Sequence, residues 1–150
     1  MAEVRTDAEI LGFAIGREIQ AIKLYKLLAR RASDRQVAQI CEEYAQEEIE
    51  HKEILELEAM KRGYVVDAPQ EPQSDSSISV IPEMEGSLDI GPEEVFSIAI
   101  EKEEDAFRFY FRLAAQMKDP EIQELLIQLA QEEARHKFKA EEDFRLYGRQ

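Results

Sequence analysis

The chain contains two histidines, His51 and His136, and each ends the same short phrase: Gln46-Glu47-Glu48-Ile49-Glu50-His51 and Gln131-Glu132-Glu133-Ala134-Arg135-His136. Both phrases hold a Glu-x-x-His. Residues three apart on a helix lie on one face, one turn from each other. Glu48 with His51, and Glu133 with His136, therefore each present a carboxylate beside an imidazole. Two such pairs in one small acidic protein point to metal chemistry more than to solvated surface.

The elements that must hold these pairs are helices. From Thr6 to Ala32, apolar residues recur at helical spacing (Leu11, Ala14, Ile15, Ala21, Ile22, Tyr25, Leu28, Ala29), with Thr6 or Asp7 available as a cap. Ser33-Asp34 caps a second helix running to about Arg62, with Val37, Ile40, Cys41, Tyr44, Ile54 and Leu55 on its stripe, and Gly63 is placed to end it. Gly91-Pro92-Glu93-Glu94 opens a third, and Asp119-Pro120-Glu121 a fourth. Between these pairs, residues 64–91 carry Pro69, Pro72, Pro82 and the polar run Gln73-Ser74-Asp75-Ser76-Ser77 without helical period. This predicts one all-α domain over residues 1–150. It is a four-helix bundle of two helical hairpins, 6–63 and 92–147, joined by a long crossover at 64–91.

The two hairpins are a repeat. Glu103, Glu133 and His136 follow Glu18, Glu48 and His51 by the same 85 residues (103 − 18, 133 − 48, 136 − 51). Ala14/Ala99, Ile15/Ile100, Tyr25/Tyr110, Leu28/Leu113 and Asp34/Asp119 match in that register without a gap, as duplication of a hairpin requires. The register also exposes an anomaly. Glu18 stands on the inward stripe between Ala14/Ile15 and Ala21/Ile22, and Glu103 stands between Ile100 and Ala106/Phe107, where a bundle wants apolar residues. A buried ionised carboxylate costs several kcal/mol or more unless it is paired. Four carboxylates and two imidazoles at one level therefore call for cations, and two divalent ions balance four carboxylates. One Glu from each of two helices with Glu-x-x-His from the other two is the donor pattern of dinuclear carboxylate bundles. Mixed oxygen and imidazole donors suit iron or manganese, and iron is favoured because the set can hold both ferrous and ferric ions.

Other residues take lesser expectations. Tyr25 and Tyr110 are core residues whose hydroxyls can bond ligand carboxylates. Tyr44, one turn before Glu48, matches Leu129 in the repeat and is either core packing or a redox-active or proton-donating neighbour. Glu47 and Glu132, beside the stripe, are expected on the surface, with contact to a ligand residue as the lesser alternative. The formal charge of −14 argues against nucleic acid and anionic membrane as partners. The single cysteine, Cys41, excludes an intrachain disulfide and reads as a small core hydrophobe. With no signal-like N-terminus and no apolar run of spanning length, the expected location is the cytoplasm.

The pattern Ala14-Ile15-Gly16-Arg17-Glu18 with Tyr25, Glu48-x-x-His51, Ala99-Ile100-Glu101-Lys102-Glu103 with Tyr110, and Glu133-x-x-His136 resembles the rubrerythrin branch of the ferritin-like superfamily. The resemblance implies that Glu18, Glu48, His51, Glu103, Glu133 and His136 are the ligands of two iron ions, with Glu48 and Glu133 bridging and Glu18 and Glu103 terminal. The ions would cycle between ferrous and ferric states, oxo-bridged when oxidised. Two departures stand out. One cysteine cannot make the rubredoxin-type iron site of full rubrerythrins. A further Glu usual near the third-helix ligand is replaced here by Ala99, Ile100, Ala106 and Phe107. Both bear against NADH-linked peroxidase activity by the chain alone and imply an external electron donor of rubredoxin or flavoprotein type.

The resemblance thus predicts a non-haem diiron oxidoreductase that reduces hydrogen peroxide or dioxygen in oxidative-stress defence. The alternatives are a ferroxidase that oxidises and sequesters or hands on Fe(II), and a helical interaction module with a structural metal. A homodimer, with or without exchanged hairpins, is the expected assembly.

Overall fold

The computed structural model describes residues 6–65 and 89–148. Four helices account for most of them: α1 (Asp7–Arg31), α2 (Arg35–Lys61), α3 (Pro92–Gln116) and α4 (Pro120–Tyr147). The middle of the expected crossover, 66–88, lies outside the described residues.

Three of the four helices start where a side chain caps the first N–H groups, while α3 opens on Gly91-Pro92 without a side-chain cap. Thr6 Oγ1 accepts from Glu9 N at 3.1 Å while Thr6 N donates to Glu9 Oε1 at 3.0 Å, a reciprocal capping box. Asp34 Oδ1 accepts from Gln36 N and Val37 N, and its repeat partner Asp119 accepts from Glu121 N and Ile122 N. At the end of α2, Tyr64 N donates to Ala59 O at 3.0 Å and Gly63 N to Met60 O at 3.1 Å. This is the Schellman arrangement, and it requires the positive φ of 69° that Gly63 adopts.

The helices pack mainly as the pairs α1–α2 and α3–α4, with α1 against α3 and α2 against α4 joining the hairpins. Ile90, just before α3, is tied to the far end of α1 by an isolated bridge to Ala32: Ile90 N donates to Arg31 O at 2.7 Å and Ser33 N to Ile90 O at 2.9 Å. The crossover therefore delivers the chain to the end of the bundle where α1 finishes, so α3 runs antiparallel to α1. Arg62 ties the opposite end, donating to Glu58 on its own helix and to Asp119 and Glu121 at the start of α4.

The apolar interior is in two parts. One gathers Leu24, Leu28, Val37, Cys41, Tyr44, Val95 and Phe96. The other gathers Ile10, Leu11, Leu55, Tyr110, Leu113, Ile122, Leu126 and Leu129. The six expected donor residues belong to neither, and they form the level between the two. One feature departs from the sequence reading and another was not anticipated by it. Ile54, expected beside Leu55 on the inward stripe, is 43 % exposed. Arg17 and Lys102, repeat partners that each precede a stripe glutamate, are buried, with the Arg17 guanidinium 4.5 Å from the Phe109 ring centroid. Cys41 is buried as expected, and burial, helped by the charge of Glu42, pushes its thiol up to about 12. Among the described residues no helix is long and apolar enough to cross a membrane.

The caps give a direct stability test. Asp34→Ala is expected to cost about 1 kcal/mol in denaturant unfolding. Asp119→Ala should cost more, because it also removes a partner of Arg62 between the hairpins. Gly63→Ala should cost about 1–2 kcal/mol from its left-handed backbone.

Candidate metal centre

Each helix contributes to the level between the cores. Glu18 comes from α1, Glu48 and His51 from α2, Glu103 from α3, and Glu133 and His136 from α4. All four glutamates are at most 3 % exposed. The helical offset of three carries each carboxylate and its histidine inward together, as the Glu-x-x-His spacing demands.

Their donor atoms form two overlapping sets. Glu18, Glu48, His51 and Glu133 have one donor atom each within 4.8 Å of one another, and so do Glu48, Glu103, Glu133 and His136. Glu48 and Glu133 belong to both. His51 Nδ1 lies 3.2 Å from Glu18 Oε2, 3.7 Å from Glu48 Oε2 and 3.0 Å from Glu133 Oε1. His136 Nδ1 lies 3.3 Å from Glu48 Oε1, 3.7 Å from Glu103 Oε2 and 3.3 Å from Glu133 Oε1. The two imidazole rings stack 5.1 Å apart, only 4° from parallel.

His136 Nδ1 is within hydrogen-bond distance of Glu48 Oε1 at 3.3 Å, but most of the close approaches leave atoms unsatisfied. Glu18 Oε2, Glu48 Oε2, Glu103 Oε2, Glu133 Oε1 and His51 Nδ1 are buried with no hydrogen bond of acceptable geometry. Buried polar atoms are normally satisfied, and several unsatisfied ones converging on a point are suited to holding a cation. The donor chemistry and the shared carboxylates fit a pair of divalent cations.

Tyrosines support the layer unequally. Tyr25 Oη donates to Glu103 Oε1 at 2.5 Å, reaching across from α1 to α3 rather than to Glu18 on its own helix. Tyr110, the repeat counterpart, is buried near Glu18 but makes no hydrogen bond of comparable geometry; burial and then the charge of Glu18 raise its pKa. Tyr44 is edge-on to Tyr25, 5.5 Å between centroids, and donates to Asp143 Oδ2 at 2.6 Å, away from the carboxylates. For one residue the lesser of the two expectations holds. Glu47, expected on the surface, is only part-exposed and places Oε2 3.0 Å from His136 Nε2. Glu132, also expected there, lies within the same 4.8 Å reach of His51 and His136. Its pairing with Arg135 is at the surface, as the sequence reading held. A groove of about 420 Å³ between α2 and α4, lined by Glu47, Glu50, His51, Ile54, Glu132 and His136 among others, opens this face of the layer to solvent.

Without cations the layer must hold protons instead. Burial, then the charges of Glu48 and Glu133, raises Glu18 well above the usual carboxylate range. Burial, then Glu133 and Glu48, does the same to Glu103. For Glu48 burial pulls upward, but hydrogen bonds from His136 and His51 outweigh it and hold the group low. Burial opposes charge on both histidines, yet the carboxylates win: Glu103, Glu133 and Glu48 lift His136 to about 12, and Glu133, Glu18 and Glu48 raise His51 likewise. Groups raised on folding stabilise below their unfolded pKa, and that stability is lost as pH climbs toward the folded value. The metal-free protein should therefore melt at lower temperature as pH rises from 6.5 to 9. The decline should be shallower in His51→Gln/His136→Gln, and equal slopes in the two proteins would refute this assignment.

Comparison with known proteins bears on the family and the fold. The rubrerythrin family model matches residues 9–143. A provisionally described ferritin-like diiron-carboxylate protein from Thermotoga maritima has the same fold, with a TM-score of 0.73 at 21 % identity, over 97 % of this chain and 98 % of that one. A hypothetical protein from Pyrococcus furiosus superposes with a TM-score of 0.67 at 26 % identity, over 93 % of this chain and 88 % of that one. No curated protein matches the sequence. With the fold, the duplicated hairpin and nearly the whole length accounted for, this chain belongs to the rubrerythrin family.

Proposed function

We propose that the protein is a non-haem diiron oxidoreductase that reduces hydrogen peroxide or dioxygen. The observation carrying this reading is the pair of four-donor sets that share Glu48 and Glu133 inside the bundle. Glu18, Glu48, His51 and Glu133 would hold one iron ion, and Glu103, Glu48, Glu133 and His136 the other, with Glu48 and Glu133 between them. When bound, the two ions would supply Lewis acidity and two reducing equivalents toward a small oxidant.

The protein residues have definable parts. The groove between α2 and α4 admits a small solute to the histidine side of the layer, while the apolar cores exclude water above and below it. Tyr25, through its 2.5 Å hydrogen bond, fixes the Glu103 carboxylate and keeps a proton beside it. With one cysteine this four-helix unit makes no electron relay of its own, and the reductant it would draw on is of rubredoxin or flavoprotein type.

One observation favours a second reading, ferroxidase or iron handling. The groove carries Glu47, Glu50 and Glu132 down to the two histidines, an acidic approach suited to a passing cation.

Stopped-flow mixing separates the two. Anaerobic protein loaded with Fe(II) is mixed with peroxide or with dioxygen, and the ferric absorbance is followed. Oxidation at least tenfold faster with peroxide, with iron retained, is the expected result. Oxidation followed by iron release favours the ferroxidase, and no oxidation by either removes the redox reading. Metal should also stabilise the fold: at 100 times Kd, Mn(II) or Fe(II) adds about 2.7 kcal/mol. For a chain of this length that is a rise in melting temperature of roughly 5–10 °C. Glu48→Ala/Glu133→Ala should abolish that rise, and its survival would disprove the assignment of the shared carboxylates.

A further inference from the structure

The duplication that builds the centre is broken beside it. Glu50 has Arg135 as its counterpart at the 85-residue offset, so a negative charge on α2 is replaced by a positive one at the equivalent position of α4. Each sits one turn after a glutamate flanking the core stripe, Glu47 and Glu132 respectively. Glu47, with like-charged Glu50 one turn on, extends across the groove to His136 Nε2 at 3.0 Å. Glu132 instead pairs with Arg135 on its own helix, although its carboxylate is within reach of His51. One histidine has an acidic partner on its outer nitrogen, and the equivalent acid is diverted from the other.

The inner nitrogens, Nδ1 of both rings, face the carboxylate layer. An imidazole that gives Nδ1 to a metal carries its proton on Nε2, and a carboxylate accepting that proton fixes the tautomer and ring orientation and raises the basicity of the donor nitrogen. We propose that Glu47 is a positioning residue that makes the His136 half of the centre the tighter metal subsite, while Arg135 keeps the His51 half weaker by holding Glu132 aside. This rests on reading the layer as a two-metal centre. The consequence is a pair of ions unequally held, with the more exchangeable one beside His51. Because the Arg135–Glu132 pair is exposed, its removal should leave the fold intact.

Anaerobic calorimetric titration with Mn(II) tests the inference without turnover. Wild type should bind two ions in unequal steps. Glu47→Ala should weaken the tighter step roughly tenfold and spare the other. Glu47→Gln, which keeps an acceptor oxygen, should recover most of the loss, and Arg135→Ala should tighten the weaker step several-fold. The Glu47→Ala effect should persist in a His51→Ala background and vanish in a His136→Ala background. Equal weakening of both steps, or none, overturns the inference while leaving the two-metal reading intact. A wild-type chain that binds fewer than two ions overturns both.

Discussion

Four glutamates buried at one level of a helical bundle set the terms for everything around them. Left ionised and unpaired, each costs several kcal/mol, a large part of the stability of a domain this size. The protein meets the problem by confining the charge to a single layer with a complete apolar core on either side. Leu24, Val37, Val95 and Phe96 close one end, and Ile10, Leu55, Ile122 and Leu126 close the other. The capped helix starts and the ties at Ile90 and Arg62 then hold the two hairpins in the register that keeps the layer level. Convergence of so many unsatisfied donors is tolerable because a pair of divalent ions can neutralise them.

Much of this was legible in the residues because helical period and repeat register reinforce each other. Glu18 interrupts an apolar stripe, which alone says little. That Glu103 interrupts the equivalent stripe 85 residues later turns an irregularity into a site. The helix boundaries followed from caps with a chemical reason: Thr6, Asp34 and Asp119 at the starts, and Gly63 at the end of α2. What escaped depended on the rotation of one helix against another. Ile54 lies at the edge of its stripe, where a small rotation decides between core and groove, and it fell to the groove. Glu47 sits at the same kind of edge, and only the placement of α4 opposite shows that it meets His136. The partner of Tyr25 was hidden for the same reason, since periodicity along α1 cannot reveal that its hydroxyl reaches α3. Arg17 and Lys102 match in the repeat as well, and only the packing of the helices shows that both are buried.

Family membership and chemistry rest on different parts of the molecule. The family follows from a model spanning both hairpins and from a fold shared with distant archaeal and bacterial proteins. The proposed reaction rests on the donor layer and on what surrounds it. There the chain has its own character: Ala99 and Ala106 flank Glu103 with buried methyl groups, and Tyr44 with Asp143 has no equivalent on the other hairpin, where Leu129 stands. The two halves of the layer share an origin but no longer share an environment.

The central claim is that Glu48 and Glu133 lie between two metal ions. Anomalous diffraction at the iron edge, on crystals grown with Fe(II) without oxygen, measures this directly. Two peaks about 3.5–4 Å apart are expected. One should lie among Glu18, Glu48, His51 and Glu133, and the other among Glu48, Glu103, Glu133 and His136. A single peak, or density only in the groove beside Glu132, would contradict it.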